Sequence, residues 1–102
     1  MARIRVYQGP DLGRRFVELD KPQVVFGRSP DCDVVFPNPT VSRKHFKVMR
    51  QGDRWCIEDL STRRDTWVND VQIKGYVPLC DGDQIRVANW ILVFIEDVMQ
   101  DP

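Results

Sequence analysis

The sequence is short of nearly everything that would announce an enzyme, a membrane segment or a secreted scaffold. It has no net charge, because fifteen Lys and Arg balance fifteen Asp and Glu. No global field therefore draws it non-specifically to nucleic acid or to an anionic bilayer, and any anion site has to be local. Its single histidine, His45, has no second His or nearby Cys to complete a metal site. The three cysteines, Cys32, Cys56 and Cys80, are an odd number at wide spacing. They suit neither a disulfide framework nor a zinc motif and read as small apolar residues in a reducing cytoplasm. No run approaches the roughly 18 apolar residues of a membrane span, and Met1-Ala2-Arg3-Ile4-Arg5 has no apolar signal segment behind it, so a cytoplasmic location is expected. Missing too are a nucleophile elbow, a phosphate-cradling glycine loop and a zinc helix. No nucleophile, base and orienting group can be assembled, so neither catalysis nor a metal or cofactor is expected. A strand-borne stripe of aromatic and basic residues, as nucleic-acid binding would use, is also not visible.

What remains is the make-up of one domain over residues 1–102: 102 residues, 42% hydrophobic and 29% charged. Such a chain buries roughly 60–70% of its unfolded surface, enough for one core without staples. Turn signals recur about every ten residues: Gly9-Pro10, Asp20-Lys21-Pro22, Ser29-Pro30-Asp31, Pro37-Asn38-Pro39, Gln51-Gly52-Asp53, Asn69-Asp70 and Asp81-Gly82-Asp83. The segments between them are rich in Val, Ile, Phe and Trp, which predicts an all-β sandwich or barrel of about ten to eleven short, mostly antiparallel strands. Ten are placed at residues 3–7, 15–19, 23–27, 34–36, 45–50, 55–60, 67–68, 71–73, 84–87 and 90–96. Period-two alternation marks Ile4/Val6, Phe46/Val48, Trp55/Ile57 and Ile85/Val87 as core. The run from Trp90 to Ile95 is apolar on both faces and reads as a central, doubly covered strand. With residues 3–7 at the other end of the chain, it suggests that the termini lie close together, as in a module inserted in a longer protein. Trp55, Trp67 and Trp90 are assigned to the core, and residues 98–102 to a fraying tail.

The basic residues gather at turns. Arg28 follows Gly27 as a strand runs out; Ser42, Arg43 and Lys44 precede the strand near His45; Arg63 and Arg64 occupy the turn before Trp67. Loops of a sandwich collect at its ends, so three loops on one end would form a cationic hollow fringed by the hydroxyls of Ser42, Ser61, Thr62 and Thr66. Guanidinium forks with hydroxyl and backbone donors are what a phosphate monoester requires, with about two negative charges and three acceptor oxygens. Solvating decoration of exposed loops is the alternative reading.

Four segments decide between these readings. Gly27-Arg28-Ser29-Pro30-Asp31-Cys32-Asp33, Val41-Ser42-Arg43-Lys44-His45, Asp59-Leu60-Ser61 with Thr66-Trp67-Val68-Asn69, and Leu79-Cys80-Asp81-Gly82-Asp83-Gln84-Ile85 resemble, in order and spacing, the forkhead-associated (FHA) domain. The likeness spans about residues 4–96. It implies a β-sandwich whose loops at one end bind phosphothreonine peptides, and thus a protein-interaction module in Ser/Thr kinase signalling whose partner is a phosphothreonine-bearing protein, either a kinase or its substrate. It also implies that Arg28 contacts the phosphate, that Ser42 donates its hydroxyl to it and that Arg43 adds a cationic contact. His45 matches the family histidine, which braces the loops, and Gly27 and Gly82 match positions wanting a tight backbone. Asn69 matches an asparagine that either contacts peptide or, with Asp70, simply forms a hairpin turn.

The sequence departs from the family pattern where many members read Ser or Thr, Asn, Gly, Thr; here the residues are Arg63, Arg64, Asp65, Thr66. Arg64 can donate but cannot accept, so it cannot reproduce the two-sided amide pairing of an asparagine with a peptide backbone. Asp65 tolerates positive φ less well than glycine and brings a negative charge to the loop. Two expectations follow. Either Arg63, Arg64 and Thr66 share in phosphate binding, or the domain is a docking or assembly module indifferent to phosphate.

Overall fold

The computed structural model describes residues 2–8 and 15–96, without the side chains of Gln8 and Arg15. The expected turn at Gly9-Pro10 and the tail at 98–102 lie outside the described residues. Eleven strands follow one another: β1 (Ala2–Gln8), β2 (Arg15–Glu18), β3 (Gln23–Gly27), β4 (Val34–Val35), β5 (Phe46–Gln51), β6 (Arg54–Asp59), β7 (Thr66–Val68), β8 (Val71–Gln72), β9 (Tyr76–Pro78), β10 (Gln84–Val87) and β11 (Trp90–Glu96). Ten match the sequence-based strands to within a residue or so at each end. The unexpected one is β9, three residues ending in Pro78 on the edge of its sheet. A proline there costs no ladder bond on the solvent side, but in the sequence it reads as a breaker.

The strands form two sheets, a six-stranded one ordered β2-β1-β11-β10-β7-β8 and a five-stranded one ordered β4-β3-β5-β6-β9. All pairs are antiparallel except β3 with β4. β1 pairs with β11 from Ala2↔Glu96 to Val6↔Leu92, so the two ends of the described chain lie side by side. The alternating residues fill the space between the sheets. Ile4, Val6, Phe46, Val48, Ile57, Ile85 and Val87 are fully enclosed, and Trp55 nearly so. Phe26 stacks on Phe46 at 4.4 Å and Phe36 on Trp90 at 5.2 Å between ring centroids. Rings of this size carry much of the apolar area a small sandwich can bury.

Two expectations about strand faces are corrected. β11 sits inside its sheet, yet Ile91, Val93 and Ile95 are only half-buried, because nothing described covers the outer face of the six-stranded sheet. Trp67 belongs to that outer face rather than to the core, half-buried with the Arg86 guanidinium 4.8 Å from its ring. The same face also carries Arg3, Arg5, Tyr7 and Phe16, a basic and aromatic set that the sequence had not displayed. It was hidden because it runs across strands distant in sequence. No helix among the described residues is long and apolar enough to cross a membrane.

A cationic hollow formed by three loops

The loops after β3, before β5 and after β6 meet at one end of the sandwich, and backbone hydrogen bonds hold them there. Arg28 N–H donates to the Ser42 carbonyl at 2.9 Å and Ser29 N–H to the Arg43 carbonyl at 3.0 Å. The Arg43 carbonyl also accepts the Cys32 thiol at 3.1 Å. Burial pushes the Cys32 thiol above its ordinary pKa, which keeps it a donor. Gly27 is explained by the same oxygen, since a Cβ built there would lie 2.2 Å from it. The demand on Gly27 is thus close backbone approach rather than a turn.

His45 connects the second loop to the third. Its ring is almost wholly buried, Nδ1 accepts the Ser42 N–H at 3.1 Å, and Nε2 faces the Asp65 carbonyl at 2.9 Å. An accepting Nδ1 leaves the proton on Nε2, so the neutral tautomer satisfies both contacts. Across the third loop, Asp59 Oδ1 accepts from Ser61 N–H, Ser61 Oγ and Thr66 Oγ1 at 3.1, 2.6 and 2.8 Å. Ser61 Oγ in turn accepts Asp65 N–H at 2.9 Å. Sequence reasoning missed the organising roles of Asp59 and Cys32. An acidic residue two places before a serine is the available signal for the first, because Asp readily bonds the backbone two residues on.

Between the loops lies an open hollow of about 630 Å³. Arg28, Ser42, Arg43, Lys44 and Arg63 border it, with Asp31 as its one carboxylate. Arg28 is pinned through Nε–H to the Val41 carbonyl at 2.9 Å, which leaves both terminal amino groups of its fork to face a ligand. Ser42 spends its backbone N–H on His45 and keeps its hydroxyl. Among the described residues, Arg43, Lys44 and Arg63 make no ion pair. Four cations against one carboxylate, with a fixed guanidinium and a hydroxyl, suit a compact dianion. Among the described residues no group of three or more His, Cys, Asp or Glu is placed to hold a metal.

Not every expected site residue stands at the hollow. Arg28, Ser42, Arg43 and Arg63 converge, with Gly27 and His45 behind them. Thr66 is fully buried and its hydroxyl is committed to Asp59, so it holds the loop rather than facing a ligand. Asn69 lies at the other end of β7 in the turn to β8. Its Nδ2 donates to Asp83 Oδ1 at 2.9 Å and its Oδ1 accepts Gln84 N–H at 3.0 Å, leaving it a turn residue. Arg64 does not line the hollow; its carbonyl accepts the Gln72 amide, and it adopts φ 53°. The left-handed residue of this loop is therefore Arg64 and not Asp65, whose carboxylate accepts the Trp67 indole N–H at 3.2 Å. Thr62 and Lys44 border the hollow instead.

Over the described residues the protein is an all-β sandwich of two sheets with an open, cation-lined hollow among three loops at one end. The chain belongs to the FHA family: the model of the FHA domain matches residues 24–88. An oxoglutarate dehydrogenase inhibitor of Corynebacterium jeikeium is 36% identical over 92% of this chain and 64% of its own length. The chain thus spans less than two thirds of that curated relative. An FHA structure described for phosphothreonine-dependent interactions shares the fold, with a TM-score of 0.83, 23% identity and coverage of 96% of this chain and 98% of that one. EmbR of Mycobacterium tuberculosis, solved with a low-affinity phosphopeptide, gives a TM-score of 0.82 at 25% identity over 98% of this chain and 26% of EmbR.

Proposed function

We propose that this domain is a non-catalytic adaptor in Ser/Thr kinase signalling that docks a phosphothreonine-bearing protein segment at the three-loop hollow. The supporting observation is the Arg28–Ser42 junction: the Arg28 N–H bonds the Ser42 carbonyl at 2.9 Å, the Arg28 guanidinium is held to the Val41 carbonyl next door, and both residues border the hollow with Arg43. Membership of the FHA family and the phosphopeptide bound by EmbR support the same reading. A hydrogen bond to a charged group contributes about 1.5–3 kcal/mol, so Arg28, Ser42 and Arg43 supply several kcal/mol of the ~8 that micromolar affinity requires. Contacts to the flanking peptide supply the rest against the cost of ordering it. The partner in this reading is a Ser/Thr kinase or its substrate. The place is the cytoplasm, where the free thiols of Cys32, Cys56 and Cys80 remain reduced.

The departure at Arg64-Asp65 does not favour a phosphate-indifferent surface, because neither side chain borders the hollow and both residues are built into the loop's scaffold. The test is titration calorimetry with a phosphothreonine peptide, its phosphoserine analogue and its unphosphorylated twin. The expected order is phosphothreonine first, with the unphosphorylated peptide silent. Arg28→Ala is expected to weaken the first by about tenfold to a hundredfold. Equal binding of phosphorylated and unphosphorylated peptides would refute the assignment.

A further inference from the structure

The outer face of the six-stranded sheet takes no part in the hollow, and its composition is unusual for a solvated surface. One cross-strand row sets Phe16, Arg5, Val93 and Gln84 side by side, and the next sets Ile91, Arg86, Trp67 and Gln72. Phe16 and Tyr7 are 53% and 57% exposed. The Arg5 guanidinium lies 4.6 Å from the Tyr7 ring centre and 5.6 Å from that of Phe16, and Arg86 lies 4.8 Å from that of Trp67. These contacts hold flat cations against aromatic rings; Arg86 is exposed, whereas Arg5 is half-buried with its Nε enclosed and without a hydrogen-bond partner among the described residues. Among the described residues that these strands turn outward, the one carboxylate is Glu18, on edge strand β2, and the Asp65 carboxylate, just before β7, is bonded to the Trp67 indole N–H. The face is positive and apolar in a chain whose net charge is zero.

We propose that this face docks an acidic, partly apolar segment of a partner protein, at a place separate from the phosphate hollow. Charge complementarity selects the occupant. Carboxylates would pair with the forks of Arg5 and Arg86, while aliphatic side chains would cover Ile91, Val93 and the exposed rings. A second copy meeting this face by two-fold symmetry would set arginine against arginine. A nucleic-acid strand would need open ring faces for its bases, and the guanidinium groups already occupy ring faces of Tyr7, Phe16 and Trp67. Because the arginines are already held in place, little ordering cost remains to be met on binding.

The experiment uses the whole chain and a short synthetic peptide alternating Glu and Leu, followed through the Trp67 indole N–H resonance. A Gln–Leu peptide and oligothymidine serve as comparison probes, and sedimentation reports self-association. Saturable, salt-sensitive binding of the Glu–Leu peptide is expected, weakened roughly tenfold by Arg5→Ala and by Arg86→Gln. Phosphothreonine-peptide affinity, measured alongside, stays within about twofold in both variants, so a failure of this face and a failure of the hollow are told apart. Arg86 is exposed, so Arg86→Gln keeps the test valid if Arg5→Ala does not fold. Absence of saturation, equal binding of the Gln–Leu peptide, preference for oligothymidine, or a dimer abolished by Arg86→Gln would each overturn the proposal.

Discussion

Gly27 shows how much a single position can decide. Any side chain there meets the Arg43 carbonyl at 2.2 Å, the oxygen that also receives the Ser29 and Cys32 donors. Gly27→Ala is therefore expected to push the first two loops apart, costing about 1–3 kcal/mol in urea denaturation and weakening phosphopeptide binding with it. Arg64 presents the opposite case. Its left-handed φ of 53° strains a residue that does not border the hollow. Arg64→Gly is expected to hold or raise the melting temperature and to leave phosphopeptide affinity within about twofold, whereas Arg63→Ala lowers that affinity roughly tenfold. Calorimetry on the pair separates a cation that faces the ligand from one that shapes the chain. A tenfold loss in Arg64→Gly would restore Arg64 to the binding set.

At the scale of elements, the first loop depends on a clasp behind it. Asp33 bonds the Lys21 ammonium and accepts the Val25 N–H at 2.8 Å, fastening the segment between β3 and β4 to β3 itself. The Lys21 contact first, and the Val25 N–H after it, hold the Asp33 carboxyl below its ordinary range, and Asp33 raises the Lys21 ammonium above its own. A lowered carboxylate stabilises the fold above its unfolded pKa of about 3.9, and that contribution fades as pH falls through the folded value. A raised ammonium contributes below its unfolded pKa of about 10.4 and loses the contribution as pH rises further. Asp33→Asn is thus expected to melt below wild type between those limits, with the gap closing toward pH 3. Thermal scans across pH check this, and a constant gap at acid pH would show that the clasp is not electrostatic. The elements themselves were largely legible, because period-two runs such as Phe46/Val48 and Ile85/Val87 have one way to face a core. The edge strand β9 was not legible, because its pairing partner β6 lies far along the chain, nor was the commitment of Thr66 to Asp59, because a loop hydroxyl can face a ligand or a nearby carboxylate equally well in sequence. The gathering of loops at sandwich ends brought five cations into view, and the FHA resemblance singled out Arg28, Ser42 and Arg43 among the loop residues, while the choice between Arg63 and Arg64 depended on which way a tight turn points its side chains.

For the whole molecule, the hollow draws on both sheets. Arg28 and Ser42 flank strands of the five-stranded sheet, and the third loop runs from β6 of that sheet into β7 of the other, with His45 bridging to it. A ligand seated among these loops binds only the folded chain, so its free energy adds to the stability of the whole sandwich. A phosphothreonine peptide at a hundred times its Kd adds about 2.7 kcal/mol, which in a domain of this size raises Tm on the order of 10 °C. The unphosphorylated peptide should give no rise, and at the same peptide concentration Arg28→Ala should remove about half of it or more. The phosphate's second ionisation lies near pH 6, so the rise is expected to shrink as the peptide becomes a monoanion toward pH 5. Melting curves at pH 7.5 and pH 5, with and without the peptide, test the assignment to a dianion. A rise of equal size at both pH values would mean that the four cations of the hollow recognise a single negative charge.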